Sequence, residues 1–385
     1  MKPIDAGINT LCTHYGELED ERFKGVVSPL YMSTSYAYED IDVKRYPRYF
    51  NTPNQEALGK KIAALEHTDT ALIFGSGMAA TSTAILAFLR KGDHMVISRH
   101  TYGGTQNLLQ EEFEKYGLEY TFVSGTSVTD FKEAIRPNTK MLFLETPSNP
   151  LLYLTDLEAL SALAKANNLI TLIDNTFASP VNQNPADFGI DVIIHSATKY
   201  MGGHSDISAG AVAASAEHIN RIFSLAKNLG GNLSEYTVWL LERSLKTMGL
   251  RVKAQSENAL NLARYLQEHP AISKVYYPGL ESHPGHEIAR SQMRAFGGML
   301  SFEPVSDVNL KVFQQQLKWI RPSMSLAGVE STLTIPAQTS HALLTQEQRI
   351  EAGISDQLIR FSVGIEEFDD LKRDLNQALQ ISRNA

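Results

Sequence analysis

Short apolar runs of strand length alternate with amphipathic segments of helix length from about residue 56 to residue 245. Strands separated by helices lie mostly parallel and are covered on both faces, so this order restricts the segment to an open α/β sheet. The runs predict strands at 71–74, 95–98, 120–123, 141–145, 170–174, 192–195 and 210–214. Apolar positions three or four apart predict helices at 54–66, 77–89, 106–116, 156–166 and 216–225. Past Leu245 the pattern changes to a long helical segment at 253–268 and mixed elements around 274–277 and 298–302, which predicts a smaller α+β domain over 246–385. Residues 1–55 are rich in aromatics and turn residues, lack helical periodicity before Gln55, and read as an extended arm. A chain of 385 residues has room for this division.

Composition narrows the function classes. With 43% hydrophobic and 20% charged residues the chain is an ordinary globular protein able to bury a sizeable core. Its 35 basic and 43 acidic residues give a net charge of −8, a poor match to a nucleic-acid backbone. A single cysteine, Cys12, excludes an internal disulfide framework and a thiolate zinc site, and its expected role is packing. Met1-Lys2-Pro3-Ile4-Asp5 lacks the pattern of a signal peptide, and apolar runs such as Asp191-Val192-Ile193-Ile194 are far shorter than the roughly 20 residues that span a bilayer. A cytoplasmic protein with no membrane or nucleic-acid partner is expected. His94, His100, His195 and His204 are not spaced as a metal cluster on one helix, no Gly-x-Ser-x-Gly elbow occurs, and Trp239 and Trp319 read as core.

In an open α/β sheet, ligands bind beyond the carboxyl ends of the strands. After the first predicted strand comes Gly75-Ser76-Gly77-Met78-Ala79-Ala80, a glycine turn opening a helix, whose free N–H groups and positive dipole end suit a phosphate. An ordinary capped turn would look the same. After 170–173 comes Asp174-Asn175-Thr176, and after 192–194 comes His195-Ser196-Ala197-Thr198-Lys199-Tyr200. A lysine there is ordinarily a solvated loop residue, but Asp174 changes the reading. A lysine amine condenses with an aldehyde, and an acid facing a pyridinium nitrogen keeps the ring an electron sink. Ser196 and Thr198 offer hydroxyls for a phosphate, and Tyr102, in His100-Thr101-Tyr102-Gly103-Gly104, offers a stacking face. Four strand ends converge on pyridoxal 5′-phosphate.

At this point the chain resembles the cystathionine synthase/lyase group, the Cys/Met-metabolism enzymes that depend on pyridoxal phosphate. The resemblance covers nearly the whole length, on Gly75-Ser76-Gly77-Met78-Ala79, Glu145-Thr146-Pro147-Ser148-Asn149-Pro150, Asp174-Asn175-Thr176, His195-Ser196-Ala197-Thr198-Lys199-Tyr200 and Arg360-Phe361-Ser362-Val363-Gly364-Ile365-Glu366. It implies fold type I, the aspartate-aminotransferase architecture. It also implies an internal aldimine at Lys199, a ring-nitrogen contact from Asp174 beside Thr176, and stacking on Tyr102. Phosphate contacts would come from Gly77, Met78, Ser196 and Thr198, and the substrate α-carboxylate would be held by Arg360 with Asn149 and Ser325. The group is tetrameric, and the resemblance gives Tyr46 and Arg48 the task of reaching a neighbouring subunit's cofactor phosphate. One departure follows directly, since the usual Arg-x-x-Asn-Pro-Thr is here Arg48-Tyr49-Phe50-Asn51-Thr52-Pro53.

The reaction class is set by what leaves the substrate. The resemblance implies α-proton abstraction, with Lys199 as base, and a carbanion stabilised by the ring. Glutamates often seen before the arm tyrosine and the Ser-Leu-Gly-Gly turn are replaced by Arg45 and Met324. Met324 resembles the apolar residue of several β-lyases, whereas Arg45 would suit an anionic leaving group. Methionine γ-lyases carry a cysteine where this chain has Gly104. The expectation is a cystathionine lyase acting on a sulfur amino acid, β-elimination ahead of γ-elimination. The alternatives are a γ-synthase or sulfhydrylase acting on an activated homoserine, an NADP-dependent reductase using Gly75–Ala80 and Arg99, and a catalytically silent binding protein.

Overall fold

The computed structural model describes residues 6–123, 126–340, 342 and 345–383, so Met1–Asp5 lie outside the described residues. The large sheet is built from β1 (Thr70–Phe74), β2 (His94–Ser98), β3 (Glu119–Val123), β4 (Thr139–Glu145), β5 (Ile170–Asp174), β6 (Val192–His195) and β7 (Gly210–Ala214). Their order is β1-β7-β6-β5-β4-β2-β3. The run β6-β5-β4-β2-β3 is parallel, and only β7 lies antiparallel to its neighbours, β6 and β1. Every predicted strand of this sheet is present, four of them starting one or two residues early.

Alternation along each strand sends side chains to two separate cores. On one face Phe74, Ile97, Phe143, Leu172 and Ile194 pack together, with helix Gly77–Phe88 over them. On the other, Val96, Leu142, Leu144, Ile173 and Ile193 meet helix Leu157–Ala166. Burial on both faces explains why these strands read as unbroken apolar runs.

The second sheet contains β8 (Ile272–Tyr276), β9 (Met299–Pro304), β10 (Arg321–Pro322), β11 (Thr332–Thr334) and β12 (Ile359–Ser362), in the order β10-β11-β12-β9-β8. Helix Met248–Gln267 joins the two cores: Met248 and Val252 pack under the large sheet, whereas Ala259, Leu262 and Leu266 pack with Phe302 and Phe361 of the small one.

Three expectations are corrected. The arm is not extended throughout, because Ile8–His14 is helical and buries Leu11 and Cys12 in the core beneath the large sheet. Seven residues are too few to show a period, and packing rather than propensity holds such a helix. The helix expected at 106–116 begins at Gly103 and passes through a π-turn at Leu109–Phe113. Trp319 is 66% exposed rather than core, while Trp239 donates its indole N–H to the Ser28 carbonyl at 2.9 Å. No helix among the described residues is long and apolar enough to cross a membrane.

The turn after β1 is held against β7 at Gly210, where a Cβ would overlap the Ser76 carbonyl oxygen. Backbone cannot yield as a flexible side chain can. Gly210→Ala is therefore expected to cost about 1–3 kcal/mol, read as a lower midpoint in chemical denaturation; an unchanged midpoint would contradict this packing.

Candidate active site

The parallel strands end on one edge, where their following loops meet. Ser76 caps helix Gly77–Phe88 by accepting the Ala79 N–H at 3.1 Å, which leaves the other first-turn N–H groups for a ligand. Gly77 lies so close to the loop after β6 that a Cβ there would sit 2.8 Å from Ser196 Cβ. These two strand ends form a cradle with room for a glycine only. Ser196 N–H donates to Thr176 Oγ1 at 2.8 Å, and Thr176 N–H donates to Asp174 Oδ1 at 2.9 Å. The Thr198 hydroxyl donates to the Ala209 carbonyl at 3.1 Å and accepts the Ala209 N–H at 3.0 Å, so donating to a phosphate would require it to leave the carbonyl.

Burial raises the Asp174 carboxyl above its ordinary value, while the Thr176 hydrogen bonds and nearby His195 pull it back down. His195 Nε2 is bonded to Glu66 Oε1, which also accepts Asn175 Nδ2 at 3.0 Å, so the histidine behind Asp174 is fixed by a buried carboxylate. Glu145 is the register partner of Asp174, and its Oε2 accepts the Tyr102 N–H at 2.6 Å. The half-exposed Tyr102 ring lies over Gly104, where a Cβ would overlap the ring and come 3.2 Å from Met78 Sδ.

Lys199 Nζ donates to Ser325 Oγ at 2.7 Å. Arg360, on β12 between buried Ile359 and Phe361, turns away from the small sheet's core and donates to Asn149 Oδ1 at 3.0 Å and to the Ser325 carbonyl at 3.1 Å. Its Nε is buried without a partner. Burial, then the Arg360 charge, pushes the Lys199 amine down to about 8, and burial holds the Arg360 guanidinium down to about 10. Ser325 adopts φ +75°, a left-handed conformation that is costly for a residue with a Cβ and is found mainly at functional sites.

Tyr46 and Arg48 are not drawn into this cluster. Arg48 bonds to the Lys227 carbonyl and lies over the Tyr46 and Tyr49 rings at 5.7 and 5.2 Å. In the departing loop, Phe50 takes φ +56° and packs on Phe74 at 5.2 Å. Arg45 is ion-paired with Glu56 at 2.8 Å, Met324 is 70% exposed, and Arg99 lies over the Phe122 ring at 5.8 Å.

The family profile of the Cys/Met metabolism PLP-dependent enzymes matches residues 9–380. The chain belongs to this family. It is 40% identical over 374 residues to a cystathionine γ-lyase of Bacillus subtilis, covering 96% of this chain and 98% of that protein. It is 41% identical over 376 residues to a cystathionine β-lyase of Lactococcus lactis subsp. cremoris, covering 97% and 99%. Its fold matches a cystathionine γ-synthase from Xanthomonas oryzae pv. oryzae, solved in complex with cystathionine, at a TM-score of 0.95 and 35% identity, covering 99% of this chain and 100% of that one. Fold type I and dependence on pyridoxal phosphate follow for this enzyme.

The residues present fit the cofactor and an amino-acid substrate: the Gly77–Ser196 cradle excludes a Cβ, and the orphaned Arg360 Nε faces no protein acceptor. Two groups of the PLP enzyme's site went unassigned by sequence reasoning. Glu145 opens the Glu145-Thr146-Pro147 motif but was visible only as a strand end, and the Glu66–His195 pair joins positions 129 residues apart. A carboxylate ending a buried strand beside Asp174 was the available signal for Glu145.

Because a lysine is reactive only when neutral, uptake of pyridoxal phosphate by cofactor-free protein is expected to rise with pH and level off above about 8. Arg360→Ala removes the neighbouring charge and should move that midpoint upward in a stopped-flow absorbance series. A midpoint at the ordinary lysine value in the unaltered protein would contradict the burial of Lys199.

Proposed function

We propose that this PLP-dependent enzyme is a cystathionine lyase that breaks the C–S bond by β-elimination, ahead of γ-elimination. The observation that carries the reading is the sharing of Ser325 by the Lys199 amine and the Arg360 guanidinium, which sets a proton acceptor beside a carboxylate-binding group. Pyridoxal phosphate, once bound, supplies the electron sink that lets bonds to the amino-acid α-carbon break heterolytically.

In this reading Gly77, Met78, Ser196 and Thr198 hold the cofactor phosphate, Asp174 with Thr176 faces the ring nitrogen, and Tyr102 stacks on the ring. Arg360, Asn149 and Ser325 hold the substrate α-carboxylate through a planar guanidinium suited to bidentate contact. Lys199 Nζ, neutral above about pH 8, takes the α-proton. Departure of homocysteine thiolate from the β-carbon then leaves an enamine that water converts to pyruvate and ammonia. The Arg45–Glu56 ion pair supports a lyase over an acylhomoserine enzyme, because the arginine's charge is already answered within the chain. The overlap that a Cβ at Gly104 would make with Tyr102 supports disfavouring a cysteine-bearing site of the methionine γ-lyase kind.

The proposal extends to assembly. Arg48 and Tyr46 lie in an arm with exposed Phe23, Val26 and Met32, which supports a homotetramer in which arm residues complete a neighbouring cofactor site. A cytoplasmic setting accords with the buried, free Cys12.

Incubation with L-cystathionine and pyridoxal phosphate, followed by mass spectrometry, is expected to yield pyruvate and homocysteine. 2-Oxobutyrate with cysteine would move the assignment to γ-elimination, and neither keto acid would overturn the lyase reading. Arg360→Ala removes charge-assisted hydrogen bonds worth about 1.5–3 kcal/mol, so KM should rise on the order of 10- to 100-fold; an unchanged KM would remove Arg360 from the carboxylate site.

A further inference from the structure

Glu145 is a buried acid with no part in the roles assigned so far. It ends β4, 5% exposed, on the face of the sheet that carries Phe143. Its register partner is Asp174, so two carboxyl groups project side by side from adjacent parallel strands. One Glu145 oxygen receives the Tyr102 main-chain N–H at 2.6 Å, at the residue whose ring faces the site. The Tyr102 backbone therefore has a direct link to the strand beside the one that carries Asp174.

We propose that Glu145 is a positioning residue, an uncharged carboxylic acid that anchors the Tyr102 ring and leaves Asp174 to carry the negative charge beneath the cofactor. The inference rests on the reading of Tyr102 as the stacking face and Asp174 as the ring-nitrogen partner. Two adjacent buried carboxylates cannot both ionise cheaply, so one of the pair keeps its proton. Asp174 has Thr176 as a donor and His195 nearby, both of which favour its anion. Glu145 has burial and the Asp174 charge against ionisation, opposed by the Tyr102 and Asn149 N–H groups, and its carboxyl is raised well above the usual range. Asp174 on β5 is the ionisable group that acts on Glu145; Tyr102 and Asn149 meet it through their main chains, and the Arg360 charge acts on Lys199 across the site.

A neutral acid is mimicked by an amide, and this makes the role testable. Glu145→Gln keeps an acceptor for the Tyr102 N–H without charge, whereas Glu145→Ala removes the anchor. Cofactor-free protein would be titrated with pyridoxal 5′-phosphate by absorbance, and the bound cofactor's circular dichroism recorded. Glu145→Gln is expected to bind within about threefold of the unaltered enzyme with the same dichroic band, and Glu145→Ala to bind at least tenfold more weakly with an altered band. A purely packing role would lower the melting temperature of Glu145→Ala and leave the band as it was, which would overturn the proposal. So would a tenfold loss in Glu145→Gln, since that would mean the carboxylate itself is needed.

Should Glu145→Ala fail to fold, the melting temperature of cofactor-free Glu145→Gln decides. An acid whose folded-state value is raised contributes stability below its unfolded value, about 4.3, and loses it as pH rises through the folded value. The unaltered protein should therefore lose more melting temperature than Glu145→Gln does as pH is raised from about 4.3; identical slopes would overturn the proposal. Asp174→Ala and Tyr102→Ala serve as controls. If neither changes cofactor affinity or the band, the roles of Asp174 and Tyr102 fail, an outcome separate from failure at Glu145.

Discussion

Two cations, Lys199 and Arg360, share one serine at the junction of the two sheets. Like charges in a site sheltered from water repel strongly, and a guanidinium holds its proton far more firmly than an amine. Burial first, and then the Arg360 charge, move the lysine toward neutrality at about 8, while Arg360 stays charged and keeps one nitrogen without a protein partner. Burial, reinforced by the neighbouring guanidinium, thus favours a neutral amine beside a charged group with a free donor. Ser325 makes this possible by taking a left-handed backbone, which sends its hydroxyl to Lys199 and its carbonyl to Arg360.

The large sheet arranges everything else around that pair. Parallel order puts the ends of β2, β4, β5 and β6 on one edge, so Tyr102, Glu145, Asp174 and Ser196 approach one another although distant in sequence. β7 runs the opposite way and brings Gly210 under the Ser76 turn. Two glycines, Gly77 and Gly210, permit the close approach that shapes the cradle. Both contacts exclude a methyl group, so the geometry is fixed by backbone against backbone or against a short side chain.

Much of this was legible in the sequence because strands buried on both faces announce themselves as apolar runs, and the sheet's parallel order makes their following residues the site. Lys199, Asp174 and Gly77 each follow such a run, and it was their combination, not the position of any one of them, that pointed to a site. Arg360, Asn149 and Ser325 were reached only through family resemblance: nothing in local spacing ties β12 to the loop after β4. Other features depend on partners that no window of sequence contains. Ile8–His14 is held by burial of Leu11 and Cys12 under residues more than forty positions away, and Arg45 finds its counter-charge in Glu56. Trp319 was misread because a large aromatic ring predicts burial on average, whereas here its backbone N–H is held by Asp374 at 2.8 Å and its ring faces solvent.

The central claim is that Lys199 moves the substrate's α-proton while Arg360 holds the carboxylate. Its most direct test is exchange of the α-hydrogen of an amino-acid substrate with deuterated solvent, followed by proton NMR for the pyridoxal-phosphate-loaded enzyme and for Lys199→Ala with cofactor added. The account predicts rapid exchange by the unaltered enzyme and none above background in the variant. Exchange at an undiminished rate without the lysine amine would contradict it.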